Sequence, residues 1–147
     1  MFAWGTGEGM FYIFQPVYLE KQWGASPVQI GAILGAVGMA MSFVQLPSGY
    51  LSDRIGPRPV MCAAWCVGLI STLLMGWAGS LGVFFAGMVI YGSTSFVSPA
   101  LNSYYTVARG SLRLERAMTI CPSFYAFGAV VGPLLGGFLG ERIGLQD

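Results

Sequence analysis

The chain has 147 residues, 55% hydrophobic and only 9% charged, with mean hydropathy +0.67, no histidine and a formal net charge of +1. A soluble domain carries about 25% charged residues, so this composition excludes a water-soluble globule. The near-neutral balance also leaves no electrostatic footprint for nucleic acid.

Apolar runs of about 20 residues, the length a helix needs to cross a bilayer, recur from end to end. The expected fold class is therefore an all-α polytopic membrane protein, one transmembrane helical domain over 1–147. The apolar pattern begins almost at Met1, without the basic start, short apolar core and small-residue cleavage site of a signal peptide. Cys62, Cys66 and Cys121 fall inside apolar runs and read as small buried thiols. No metal or cofactor is called for.

The first span covers about 1–19, and Glu20, Lys21 and Gln22 leave the membrane beside the interfacial Trp23. Gly24 turns the chain. Ser26 then caps a second span, about 27–52, with Pro27 at its first helical position, where a missing N–H costs nothing. The stretch GYLSDRIGPRPV, residues 49–60, is the one strongly polar break, with Gly56 and Pro57 at its centre. Pro59 opens a third span, about 59–77; Ala78 to Leu81 make an uncharged turn; a fourth span covers about 82–105 and a fifth about 117–139.

Lysine and arginine are retained on the cytoplasmic side. One set of loops holds Arg54, Arg58, Arg109, Arg113 and Arg116, the other Lys21 and Arg142, which puts the 49–60 turn inside. Gly49 allows close helix contact and Arg54 suits the helix end there, whereas Asp53 opposes the helix dipole and needs a partner, for which Arg109, Arg113 or Arg116 are candidates.

A repeat is visible 88 residues apart: Gly49, Tyr50, Leu51, Ser52, Asp53, Arg54, Ile55 and Gly56 align with Gly137, Phe138, Leu139, Gly140, Glu141, Arg142, Ile143 and Gly144. The first copy ends a helix entering the cytoplasm and the second ends one leaving it, which is an inverted repeat of three helices, as in many secondary transporters. A sixth helix is then due near Asp147, so the chain reads as incomplete at both ends.

Glu8 is the ionisable residue well inside an apolar span. Standing 12 residues before Glu20, at about 1.5 Å each, it lies roughly 18 Å from the outer end, near the bilayer centre. An acid there needs a partner, a water-filled cavity or a proton. Trp4, Tyr12 and Gln15 share its helix face. This face is the candidate site for proton coupling or for a cationic substrate, the alternative being a hydrogen-bonded packing residue.

Tyr91, Thr94, Ser95, Ser98 and Asn102 form a polar stripe along the fourth span, and Gln45 is a weaker candidate in the second. Ser71 and Thr72 are the main polar residues of the third. Spans one and four should therefore line a cavity while span three faces lipid. The alternative for each hydroxyl is a bond back to its own helix. Gly128, Gly132 and Gly136 recur every four residues in the fifth span, a groove for close helix packing, and Pro133 removes a backbone hydrogen bond there.

Gly49, Leu51, Asp53, Arg54, Gly56 and Arg58 resemble the signature between the second and third helices of the major facilitator superfamily. GASPVQIG, residues 24–31, is similar to that family's entry to its second helix. Gly128, Gly132, Pro133, Gly136 and Gly137 are similar to the signature of its drug and proton antiporters. Two departures stand out: Met88, aligned on Gly92, occupies a position where antiporters often carry arginine, and Pro57 stands where a basic residue is common.

The resemblance implies an N-terminal bundle of about five helices in the cell membrane. Its partners would be lipid, a small-molecule substrate, protons and a missing second bundle, against which Asp53 helps latch the cytoplasmic face. The expected function is proton-coupled efflux of drug-like or amphipathic solutes by alternating access, with uptake of a sugar or organic solute as the alternative. An oligomeric structural or channel-forming protein is the reading from another class; an enzyme is disfavoured by the lack of histidine and of a nucleophile beside a base.

Overall fold

A computed structural model describes residues 1–143. Among them the chain is helical, without strands: α1 (Phe2–Trp23), α2 (Pro27–Ile55), α3 (Pro57–Gly76), α4 (Leu81–Ser93), a single 3-10 turn (Thr94–Phe96), α5 (Val97–Ala108) and α6 (Leu114–Ile143). Four runs are long and apolar enough to cross a membrane: α2, α3, the α4–α5 run Leu81–Ala108, and Leu114–Arg142 of α6. Gly144, the last residue of the repeat, and Asp147, where a sixth helix was expected to start, lie outside the described residues.

Glycine and proline set the helix ends. Gly24 takes a left-handed conformation at φ 62°, and its amide and that of Ala25 reach back to the Glu20 and Leu19 carbonyls. The polar turn at 49–60 is shorter than its sequence implies. The helix of α2 runs on through Asp53 and Arg54, and α3 starts at Pro57 rather than Pro59, so Gly56 alone joins them. Gly56 sits at φ 85°, ψ 160°, a region open essentially only to glycine, and Pro57 needs no amide partner at the first helical position. The Ser80 side chain accepts the Val83 amide and so caps α4.

The fourth span is not one continuous α-helix. It changes to 3-10 geometry at Thr94–Phe96, three residues before Pro99. A proline in a helix lacks the N–H that would bond the carbonyl four residues back, here Ser95, and its ring crowds that carbonyl. The α6 helix, by contrast, passes through Pro122 and Pro133 without interruption.

Two compact units divide the helices. In one, α1 packs along α6 with both helices running the same way: Phe2, Thr6 and Phe14 meet Gly128, Gly132 and Gly136 in ascending order. The other, Pro27–Gly110, is built from α2, α3, α4 and α5 around Val37, Val60, Ala64, Ser71, Met75, Phe84, Met88, Val97 and Ala100. The third helix therefore does not simply face lipid. One face carries the buried Val60, Ala64, Ser71 and Met75, and the other exposes Trp65, Leu69 and Ile70. Cys62 and Cys66 lie off the buried face and are exposed, and Cys121 is half-buried, so none is the buried thiol that hydropathy implied.

The two copies of the repeat share a local contact. The Arg54 guanidinium lies 4.6 Å from the Tyr50 ring centre, and Arg142 lies 4.6 Å from that of Phe138. Each is a cation over an aromatic face one helical turn back.

Candidate functional site

The α1–α6 seam is built from glycine. A Cβ at Gly5 would strike the Tyr125 carbonyl, at Gly9 the Ala129 backbone, at Gly128 the Phe2 carbonyl and Thr6 amide, and at Gly132 the Thr6 carbonyl and Met10 amide. At Gly136 it would lie 2.6 Å from the Phe14 ring. Two glycines four apart on α1 thus mesh with three on α6, and the backbones touch directly. Close approach of this kind drives helix pairing in lipid, where burying apolar area brings no gain. Outside the seam, Gly49 and Gly137 have nothing within 4 Å of a hypothetical Cβ, so neither makes the close helix contact that Gly49 was expected to make.

Glu8 lies between Gly7 and Gly9, half-buried. The Tyr125 hydroxyl donates to its Oε2 at 2.5 Å. The Trp4 and Tyr125 rings stand edge to face, their centres 5.5 Å apart. Trp4 and Glu8 on α1 therefore converge on one tyrosine of α6, with Tyr12 half-buried a turn further along. Gln15 continues that face; it is buried to 4% exposure, and its Oε1 has no hydrogen-bond donor among the described residues. The result is a carboxylate, a carbonyl acceptor and three aromatic rings in one unit, an arrangement suited to a proton or a cation.

The polar stripe of the fourth span behaves differently. Thr94 donates to its own Tyr91 carbonyl at 2.6 Å, and Ser95 donates across to the Met41 carbonyl of α2 at 3.0 Å. Ser48 of α2 returns a hydrogen bond to the Phe96 carbonyl, so two serine hydroxyls, one donated from each partner, tie the 3-10 turn to α2. Tyr91 is half-buried, while Ser98, Asn102 and Gln45 are exposed. At the α2–α3 junction Asp53, Arg54 and Arg58 are exposed and Gly56 half-buried; in α6 Pro133 is half-buried. Met88, at the position of the antiporter arginine, fills the second unit's core at 1% exposure.

Sequence reasoning passed over Tyr125, Gly5 and Gly9. Their signals were present: Gly5 and Gly9 have the spacing of the α6 glycines, and Tyr125 stands three residues before Gly128, on the same face.

The family model described as Major Facilitator Superfamily matches residues 1–146. The chain belongs to that superfamily. Members are transporters rather than enzymes, and with its apolar helices this chain is a multi-pass integral membrane protein. It is 31% identical over 95% of its length to an uncharacterized MFS-type transporter of Methanocaldococcus jannaschii, covering 36% of that protein. It is 27% identical over 94% of its length to the inner membrane transport protein YajR of Escherichia coli, covering 33% of it. A tetracycline resistance protein, class C, of Escherichia coli is 29% identical over 74% of the chain, which covers 28% of that relative. The chain thus spans about a third of the length of these relatives. No solved structure gives a significant match.

Proposed function

We propose that this chain supplies the proton-handling helices of a secondary transporter that exports amphipathic, drug-like solutes. The observation carrying the reading is Glu8, half-buried within α1 and accepting from the Tyr125 hydroxyl, with Trp4 against the same tyrosine and Tyr12 one turn on. A carboxylate at membrane depth is costly unless it is partnered or neutralised. It therefore exchanges a proton for a donor or a cation whenever its access changes. Alternating access around a midplane site supplies that change, through rocking against a second helical bundle. Likeness to a tetracycline resistance protein and the glycine pattern of α6 favour export. The plasma or inner membrane is the setting this reading requires, and Asp53 at the α2 end is the proposed cytoplasmic latch.

The test is Glu8→Gln in a transport-competent protein containing this chain, reconstituted in liposomes. Transport driven by a pH gradient is expected to fall to background, while substrate counterflow, which needs no net proton movement, continues. Undiminished gradient-driven transport in Glu8→Gln would refute the assignment.

A further inference from the structure

Glu8 and Tyr125 are held together by their helices as much as by their own bond. Gly5 abuts the Tyr125 backbone and Gly9 abuts Ala129, so the glycine contacts bracket the level at which the hydroxyl meets the carboxylate. With the backbones in contact, the two side chains separate only by rotating about their own torsions or by opening the seam. The Trp4 ring, edge-on to Tyr125, restricts the first route. The phenol is therefore a fixed donor, aimed at the one oxygen it serves.

We propose that Tyr125 is the positioning residue of Glu8: its hydroxyl holds the ionised carboxylate against α6, and an incoming proton displaces it as the partner of that charge. This rests on reading Glu8 as the proton-carrying group. On uptake, a carboxylate oxygen gains the proton from water and Tyr125 keeps its own; what is lost is the charged acceptor of the phenol. Hydrogen bonds to a charged acceptor are the strong ones. The titratable groups near the carboxylate are Tyr125 and, one turn earlier on the same α6 face, Cys121, with Tyr12 one turn on along α1. The charged residues Glu20, Lys21, Glu115, Arg116, Glu141 and Arg142 stand at the ends of the two helices.

A hydrophobic carbodiimide modifies the protonated carboxyl only, so its labelling of Glu8 falls as pH rises and the acid ionises. The chain in lipid nanodiscs is labelled across a pH series, and adducts at Glu8 are counted by mass spectrometry in wild type and Tyr125→Phe. The phenylalanine keeps the ring on Trp4 and removes the hydroxyl alone. Losing the donor that the ionised form uses is expected to displace the fall in labelling along the pH axis, with the plateau unchanged. A merely structural role would loosen the pair and scale labelling at every pH without moving the midpoint. That result, or an unchanged profile, overturns the role of Tyr125 while leaving Glu8 intact. Wild-type labelling of Glu8 that does not depend on pH overturns the reading of Glu8 itself.

Discussion

Gly132→Ala tests the seam directly. The added methyl would meet the Thr6 carbonyl oxygen, the Met10 amide nitrogen at 2.9 Å and the Gly9 carbonyl carbon at 3.2 Å. All three are backbone atoms of α1, so no rotamer change relieves the clash and the helices must part. Restoring ordinary nonbonded separations of about 3.5 Å requires a displacement of about 1 Å. That movement also takes the 2.5 Å bond between Tyr125 and Glu8 out of hydrogen-bonding range. Overpacking costs about 1–3 kcal/mol, and losing a hydrogen bond to a charged group about 1.5–3 kcal/mol. A net destabilisation of about 3 kcal/mol is expected, since relaxation relieves part of each. Equilibrium unfolding in mixed micelles, followed by helical circular dichroism, measures it. Gly35→Ala is the control: a methyl there has nothing within 4 Å, and replacing a mid-helix glycine gains about 0.5–1 kcal/mol. If Gly132→Ala matched wild type or exceeded it in stability, the backbone-contact account of the seam would be wrong.

Two further outcomes concern the other unit. Ser48→Ala and Ser95→Ala each remove one of the hydroxyl bonds between α2 and the 3-10 turn. Each is expected to cost about 0.6–1.7 kcal/mol in the same unfolding assay, and because the two bonds brace one turn the double variant should depart from additivity. Ser52→Ala should have the opposite sign. Its Oγ is buried without a partner among the described residues, so removing it relieves a desolvation cost of about 1–3 kcal/mol. A loss of stability at Ser52→Ala would show that the hydroxyl has a partner in the membrane.

The parts of the fold that depend on local chemistry were legible in the sequence. Apolar run length marked α2, α3, the α4–α5 run and α6, although α1, the expected first span, is not among the helices apolar enough to cross a membrane; Pro27 opened α2, and Gly24 and Gly56 stood where positive φ was needed. The break in the fourth span was written in Pro99, but a polar stripe at regular helical spacing masked it. That stripe also misled in a second way. In an apolar medium a hydroxyl takes the nearest carbonyl, and for Ser95 that carbonyl belongs to Met41, 54 residues earlier in the chain. The partner of Glu8 was hidden for the same reason: Tyr125 is 117 residues away and is brought close only by the register in which two glycine rows mesh.

The matching arginine–aromatic contacts at the ends of α2 and α6 bear on how the chain is threaded through the bilayer. Arg54 on Tyr50 and Arg142 on Phe138 have the same spacing and the same 4.6 Å geometry. Each is a fixture of its repeat, present whichever way that repeat points, so neither votes on orientation. Set aside as a pair, they leave Arg58, Arg109, Arg113 and Arg116 against Lys21 alone, so the expectation that the α2–α3 junction lies inside rests on a steeper charge bias than a plain count of basic residues indicates.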